Sequence, residues 1–141
     1  MFKLSAEKLA DSSLLLARFL LVLLFLIFGW QKLTGFSGTV AYMSQSGLPL
    51  PMLAAVIAVI MELFTGLALL FGLLTRPLAI ALLVYTFATA IIGHPYWTMT
   101  GMAQFMAEIN FYKNISIMGG LLALFVTGAG KYSIDRFLKL D

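Results

Sequence analysis

The sequence predicts an all-α integral membrane protein: a four-helix transmembrane bundle with a short outer-surface helix between helices 1 and 2. Three observations carry this expectation. The 141 residues are 62% hydrophobic and only 11% charged, with a mean hydropathy of +1.02, whereas a soluble domain carries about 25% charged residues. The apolar residues are gathered into long blocks, and roughly 18 or more such residues are enough to cross a bilayer. Lysine and arginine cluster on one side of those blocks, as they do when they set the orientation of membrane helices.

The first span is expected at about 14–31, opened by Asp11-Ser12-Ser13, residue types that cap helix starts. Lys3 and Lys8 before an apolar stretch raise the question of a signal peptide, but Gly29-Trp30-Gln31-Lys32 offers no small-x-small cleavage site. A retained helix is therefore expected. Between Leu33 and Leu50 the chain is too polar to cross, and Phe36, Val40 and Met43 share one face of a short helix ending at Gly47. The second span, about 52–71, follows Pro49 and Pro51 and holds Glu62 near its middle. Gly72 to Thr75 forms a turn, with Thr75 as cap and Pro77 in the first turn of the third span, about 77–93. That span stops at His94-Pro95, because the residue before a proline resists helical geometry. The apolar part of the last segment, Ile115 to Val126, is too short alone, so a helix over about 105–127 is expected, ending at Gly128-Ala129-Gly130. No linker divides the chain, and residues 1–141 read as a single membrane domain.

With both termini in the cytoplasm, that side holds Lys3, Lys8, Arg76, Lys131, Arg136 and Lys139, against Lys32 and Lys113 outside. The expected location is the bacterial inner membrane, with the lipid bilayer as the first partner. The net charge of +3 goes with no basic, aromatic-interleaved stripe, so nucleic acid is not expected. Cysteine is absent and histidine occurs once, which excludes disulfides, thiolate metal sites, iron–sulfur clusters and bis-histidine haem. No metal site, covalently bound cofactor or nucleophile–base arrangement is expected, and neither is activity as an enzyme alone.

A charge at a helix centre costs about 2.5–3.5 kcal/mol on insertion scales, so such residues face the interior, find partners and mark function. Arg18, Val22, Phe25, Gly29 and Lys32 form one stripe of helix 1. Helix 2 aligns Ala58, Glu62, Thr65 and Gly66; helix 3 supplies Thr86, Ala90, Gly93 and His94; helix 4 aligns Lys113, Ser116, Gly120, Ala123 and Thr127. At a rise of about 1.5 Å per residue, Glu62 lies roughly 16 Å below Pro51 and Lys113 about 14 Å below Gln104. Glu62 with Lys113 is the first expected buried pair and Glu62 with Arg18 the second; the bland alternative is a pair that only fixes helix register. Arg18, Lys32, Glu62, His94, Trp97, Lys113 and Asn114 are thus the buried-polar and ligand-binding candidates. Lys32 is more often a snorkelling anchor, and Trp97 and Trp30 suit an interfacial belt.

Gly29-Trp30-Gln31-Lys32-Leu33-Thr34-Gly35-Phe36, Gly47-Leu48-Pro49, Glu62 with Gly66, Gly72-Leu73-Leu74-Thr75-Arg76, Gly93-His94, Lys113-Asn114 with Gly119-Gly120, and Tyr132-Ser133-Ile134-Asp135 follow one another in an order that resembles the DoxX family of bacterial inner-membrane proteins. The resemblance implies a four-helix membrane fold. Within that family some proteins serve as the small membrane subunit of a thiosulfate:quinone oxidoreductase and others accompany oxidative-stress enzymes.

Two functions are expected on this basis. One is a redox-associated subunit that binds a quinone or similar lipophilic ligand in the outer half of the bundle, with Lys113, His94 and Glu62 as polar groups and Trp97, Tyr85 and Phe111 as walls. The alternative is a structural or accessory membrane protein that docks a partner and has no chemistry of its own. A redox partner protein or a homo-oligomer fits either.

Overall fold

A computed structural model describes residues 2–141 of the chain, and the side chains of residue 3 and residues 5–141. Its elements are α1 (Phe2–Thr34), α2 (Phe36–Gln45), α3 (Pro51–Val59), a π-helical turn (Ile60–Phe64), α4 (Thr65–Phe71), α5 (Thr75–Gly93), a 3-10 turn (Tyr96–Thr98), α6 (Gly101–Thr127) and α7 (Ile134–Leu138). No strand occurs among the described residues. Four helical stretches there are long and apolar enough to cross a membrane: Ser5–Thr34, Pro51–Phe71, Thr75–Thr98 and Gly101–Thr127. The second is continuous from α3 through the π-turn into α4.

The helix α1 starts well before Asp11-Ser12-Ser13, which cap nothing. The preceding residues are good helix formers such as Leu, Ala, Lys and Glu, and nothing obliges a helix to begin where the hydrocarbon begins. Ser12 and Ser13 are exposed on its surface. At the other end, Gly35 turns the chain into α2, whose Phe36, Val40 and Met43 are its more sheltered face, as their spacing predicts. Pro51 takes the first position of α3, where its missing N–H costs no hydrogen bond.

The turn before α5 is built differently from the expectation. Leu74 (φ 49°), not Thr75, occupies the cap position, and the Thr75 hydroxyl is buried without a hydrogen-bond partner. The carboxylate of Asp135 does the capping instead, accepting from the backbone N–H of Leu74 at 2.7 Å and of Thr75 at 2.8 Å. The reason is reach: the tail after α6 folds back beneath the bundle, and Asp135 N–H donates in turn to Gly72 O at 2.8 Å. Gly72 is required there, since it has φ 68° and a Cβ would fall on Ser133, Ala129 and the Arg18 guanidinium.

In the bundle α1 packs on α3, the π-turn and α4, while α5 pairs most extensively with α6. Val22, Phe25, Leu69, Ala79, Leu82, Leu121 and Leu124 form the core. The helices α6 and α1 touch only lightly, at Gly120 against Leu21. Beside that contact runs a groove of about 620 Å³, whose walls include Ala17, Leu20, Leu24, Lys113, Ser116 and Ala123. The polar stripe expected to face the interior from α6 therefore does not. Lys113, Ser116, Ala123 and Thr127 are exposed, and the buried line is Ala107, Asn114, Leu121 and Leu124. In lipid an apolar face gains nothing by turning inward, so α6 is oriented by how it packs on α5.

Candidate functional site

The most unusual local feature of the backbone is the π-turn, and Glu62 lies within it. Such turns insert one residue into an α-helix and occur frequently at functional sites. On the facing helix stands Gly29, where a Cβ would lie 2.6 Å from the backbone nitrogen of Leu63 and 3.0 Å from the carbonyl carbon of Glu62. A glycine at this position lets α1 press against the π-turn. Lys32 lies one turn further along α1, on the same face.

That approach closes a three-member chain of hydrogen bonds. Lys32 Nζ donates to Glu62 Oε2 at 2.8 Å, and Tyr85 Oη donates to Glu62 Oε1 at 2.6 Å. Both carboxylate oxygens are thereby engaged, by groups from α1 and α5. Glu62 is buried, and its side chain is 10% exposed against 28% for that of Lys32. The Lys32 ammonium also sits 5.7 Å from the centroid of the Phe28 ring. Lys32 is thus an interior partner rather than a snorkelling anchor.

The two expected pairs of Glu62 are not formed. Lys113 is exposed on α6 and donates to Asn110 Oδ1 of its own helix at 3.0 Å. Arg18 is almost wholly buried, but at the opposite end of the bundle from Lys32, where Nη1 donates to Ala129 O at 2.7 Å and Nη2 to Tyr132 O at 2.6 Å. These carbonyls lie in the irregular segment between α6 and α7, where no helical ladder supplies a donor. With Asp135 and Gly72, Arg18 makes a structural knot that fastens the C-terminal segment.

Asn114 is buried and ties α6 to α5 through Nδ2, which donates to Thr86 O at 3.4 Å and Thr89 Oγ1 at 3.3 Å. His94 follows the last residue of α5 and is half-buried. Trp97, in the 3-10 turn, is exposed and joins Tyr96, Phe111 and Tyr112 in a ring cluster whose edge-to-face pairs have centroids 5.3–5.8 Å apart, with Tyr96 and Tyr112 tilted at 6.1 Å. The structure therefore brings together Lys32 and Glu62 among the predicted residues and adds Tyr85, expected only as a wall. Gly29 before Lys32 is the sequence signal of that close approach.

A sequence model of the DoxX family matches residues 13–95, more than half the chain. The chain belongs to the DoxX family. This DoxX protein is 53% identical over 123 residues to the inner membrane protein YphA of Escherichia coli (strain K12), covering 87% of this chain and 88% of that protein. It is 43% identical over 133 residues to the inner membrane protein YqjF of the same organism, covering 94% and 97%. Similarity also extends to a Bacillus subtilis (strain 168) protein named "Putative oxidoreductase CatD", 35% identical over 127 residues that cover 90% of this chain and 83% of that one. No solved structure matches. With its four apolar helices, this is a DoxX-family inner membrane protein. The family match encloses Arg18, Lys32, Glu62, Tyr85 and His94, while Trp97, Lys113, Asn114 and Asp135 lie beyond it.

Proposed function

We propose that this DoxX-family protein is a redox-associated membrane subunit that holds a quinone, or a lipophilic ligand of like chemistry, against the Lys32–Glu62–Tyr85 chain. The observation that carries the reading is the chain itself: an ammonium, a carboxylate and a phenol in direct contact within apolar helices. Ionisable groups are costly inside a bilayer and cluster there on ligand and proton paths. The name of the Bacillus subtilis relative, which refers to an oxidoreductase, points the same way.

The donor set fits a quinone. A quinone carbonyl accepts a hydrogen bond, and an ammonium carries three donors, of which Lys32 gives one to Glu62. The partial exposure of Lys32 leaves the others to a ligand arriving sideways from the bilayer, with the Phe28 ring as an apolar wall. Behind Lys32, Glu62 accepts from both Lys32 and Tyr85, which holds the ammonium in place for the ligand. A bound quinone supplies two-electron chemistry; with no cysteine and one histidine in the chain, the electrons come from a partner protein. The site lies at the end of the bundle remote from both termini, which we place on the outer side.

The test is quinone titration of the protein in lipid nanodiscs, with short-chain ubiquinone and menaquinone analogues as probes and tryptophan quenching as readout. The doubly neutral variant Lys32→Met/Glu62→Gln keeps an acceptor for Tyr85 and avoids an unpaired buried charge, so it is expected to fold and to lose quinone affinity by about tenfold or more, the worth of a charge-assisted hydrogen bond. Equal binding by the folded variant overturns the reading. Absence of quinone affinity in the unaltered protein, joined to failure of Glu62→Gln to fold, favours the accessory-protein alternative.

A further inference from the structure

The face of α6 turned away from α5 carries two opposite charges that the chain leaves without counter-ions. Phe105, Glu108, Ile109, Tyr112, Lys113 and Ser116 line a shallow depression of about 570 Å³ along it. The ion pairs among the described residues are Lys32 with Glu62 and Arg136 with Asp141, so Glu108 and Lys113 enter none. Lys113 gives its hydrogen bond to the neutral Asn110 side chain. The two charges stand at i and i+5, out of the i, i+4 register in which a helix pairs its own side chains.

We propose that this face docks a second copy of the chain, α6 against α6, with Lys113 of each copy paired to Glu108 of the other. Two copies inserted the same way round are related by a two-fold axis along the membrane normal, so residues at equal depth meet. Glu108 and Lys113 differ by about 7.5 Å along the helix, and helical side chains lean toward the N-terminus, which carries the long Lys113 chain toward the level of Glu108. One face holding both signs is complementary to itself. An acyl chain lying on the same surface would neutralise neither charge.

Toward the C-terminal end of α6 the small-residue line turns to α1, with Gly120 against Leu21 and Ala123 and Thr127 on the groove between the two helices, so the contact between copies is confined to the N-terminal half of α6, from Phe105 to Ser116. Near Glu108, the exposed rings of Phe105 and Tyr112 and the Ile109 side chain supply the packing. The inference is independent of the ligand proposed for Lys32 and Glu62.

The chain has no cysteine, so a single introduced one forms a disulfide only between copies. In vesicles at low protein-to-lipid ratio, Ser116→Cys is expected to cross-link under mild oxidation, and Ala88→Cys, exposed on α5, is not. In the Ser116→Cys background, Glu108→Lys or Lys113→Glu is expected to lower the cross-linked fraction by about tenfold or more, because like charges then face each other. Mixing differently tagged Glu108→Lys and Lys113→Glu copies restores cross-linking, since both inter-copy pairs are again opposite. Equal cross-linking at the two cysteine positions, indifference to charge reversal, or no recovery in the mixed pair overturns the proposal.

Discussion

At the scale of single residues, Asp135 and Thr75 exchange the roles that sequence order suggests. A threonine just before an apolar helix reads as its cap, yet the capping carboxylate arrives from Asp135 at the far end of the chain. Local sequence cannot reveal a cap that tertiary folding delivers. Removing it by Asp135→Ala leaves the two amide donors of Leu74 and Thr75 without acceptors, a loss of about 2 kcal/mol or more, and thermal unfolding of the detergent-solubilised protein should shift down accordingly. Thr75→Val deletes a buried hydroxyl that bonds nothing, so the same measurement should find it neutral or mildly stabilising. The reverse order of the two variants would restore Thr75 as the cap. Arg18 was legible as buried but not as to partner, because the backbone carbonyls it serves have no signature in side-chain spacing.

At the scale of elements, the stripe on α1 was readable and that on α6 was not, for one physical reason. Along α1, Arg18, Val22, Phe25 and Gly29 are all buried, with Lys32 next in line, because charge and close approach coincide on one face. Along α6 the small polar line and the packed line are different faces, and the packed line, Ala107, Asn114, Leu121 and Leu124, is the one buried, since α6 packs chiefly on α5. The Lys32–Glu62 contact was hidden by height: α1 ends at Thr34, whereas α3 begins about three turns above Glu62, so depths counted from each helix start do not share an origin. The π-turn itself carries no sequence mark. Its packing against Gly29 makes Gly29→Ala a sharp test, since a Cβ there meets backbone at 2.6 Å and must push α1 off Glu62. Lower thermal stability is expected from Gly29→Ala. Gly38→Ala in α2, where a Cβ meets nothing within 4 Å, should be neutral or gain about 0.5–1 kcal/mol from helix propensity.

At the scale of the whole molecule, composition and block length alone were enough for a four-helix membrane fold, because lipid permits few ways to satisfy a backbone. Sidedness requires one further step. Arg18 midway along α1, the Gly72–Thr75 turn and the segment after α6 meet at one end of the bundle through Arg18 and Asp135, and Lys3 and Lys8 precede Arg18 on α1 while Arg76, Lys131, Arg136 and Lys139 flank that turn and that segment. The opposite end, with α2 and the 3-10 turn, offers Lys32, held on Glu62, and Lys113 lies midway along α6. Since lysine and arginine near short loops are retained in the cytoplasm, both termini are expected there, and the Lys32–Glu62–Tyr85 chain then lies toward the outer leaflet. A green fluorescent protein joined to the C-terminus should fluoresce and an alkaline phosphatase joined there should be inactive, with the opposite pair of results for insertions between Ser46 and Leu50. A fluorescent insertion in that loop would place the chain's buried ammonium and carboxylate on the cytoplasmic side, and any ligand they hold would exchange protons with the cytoplasm instead of the outer face.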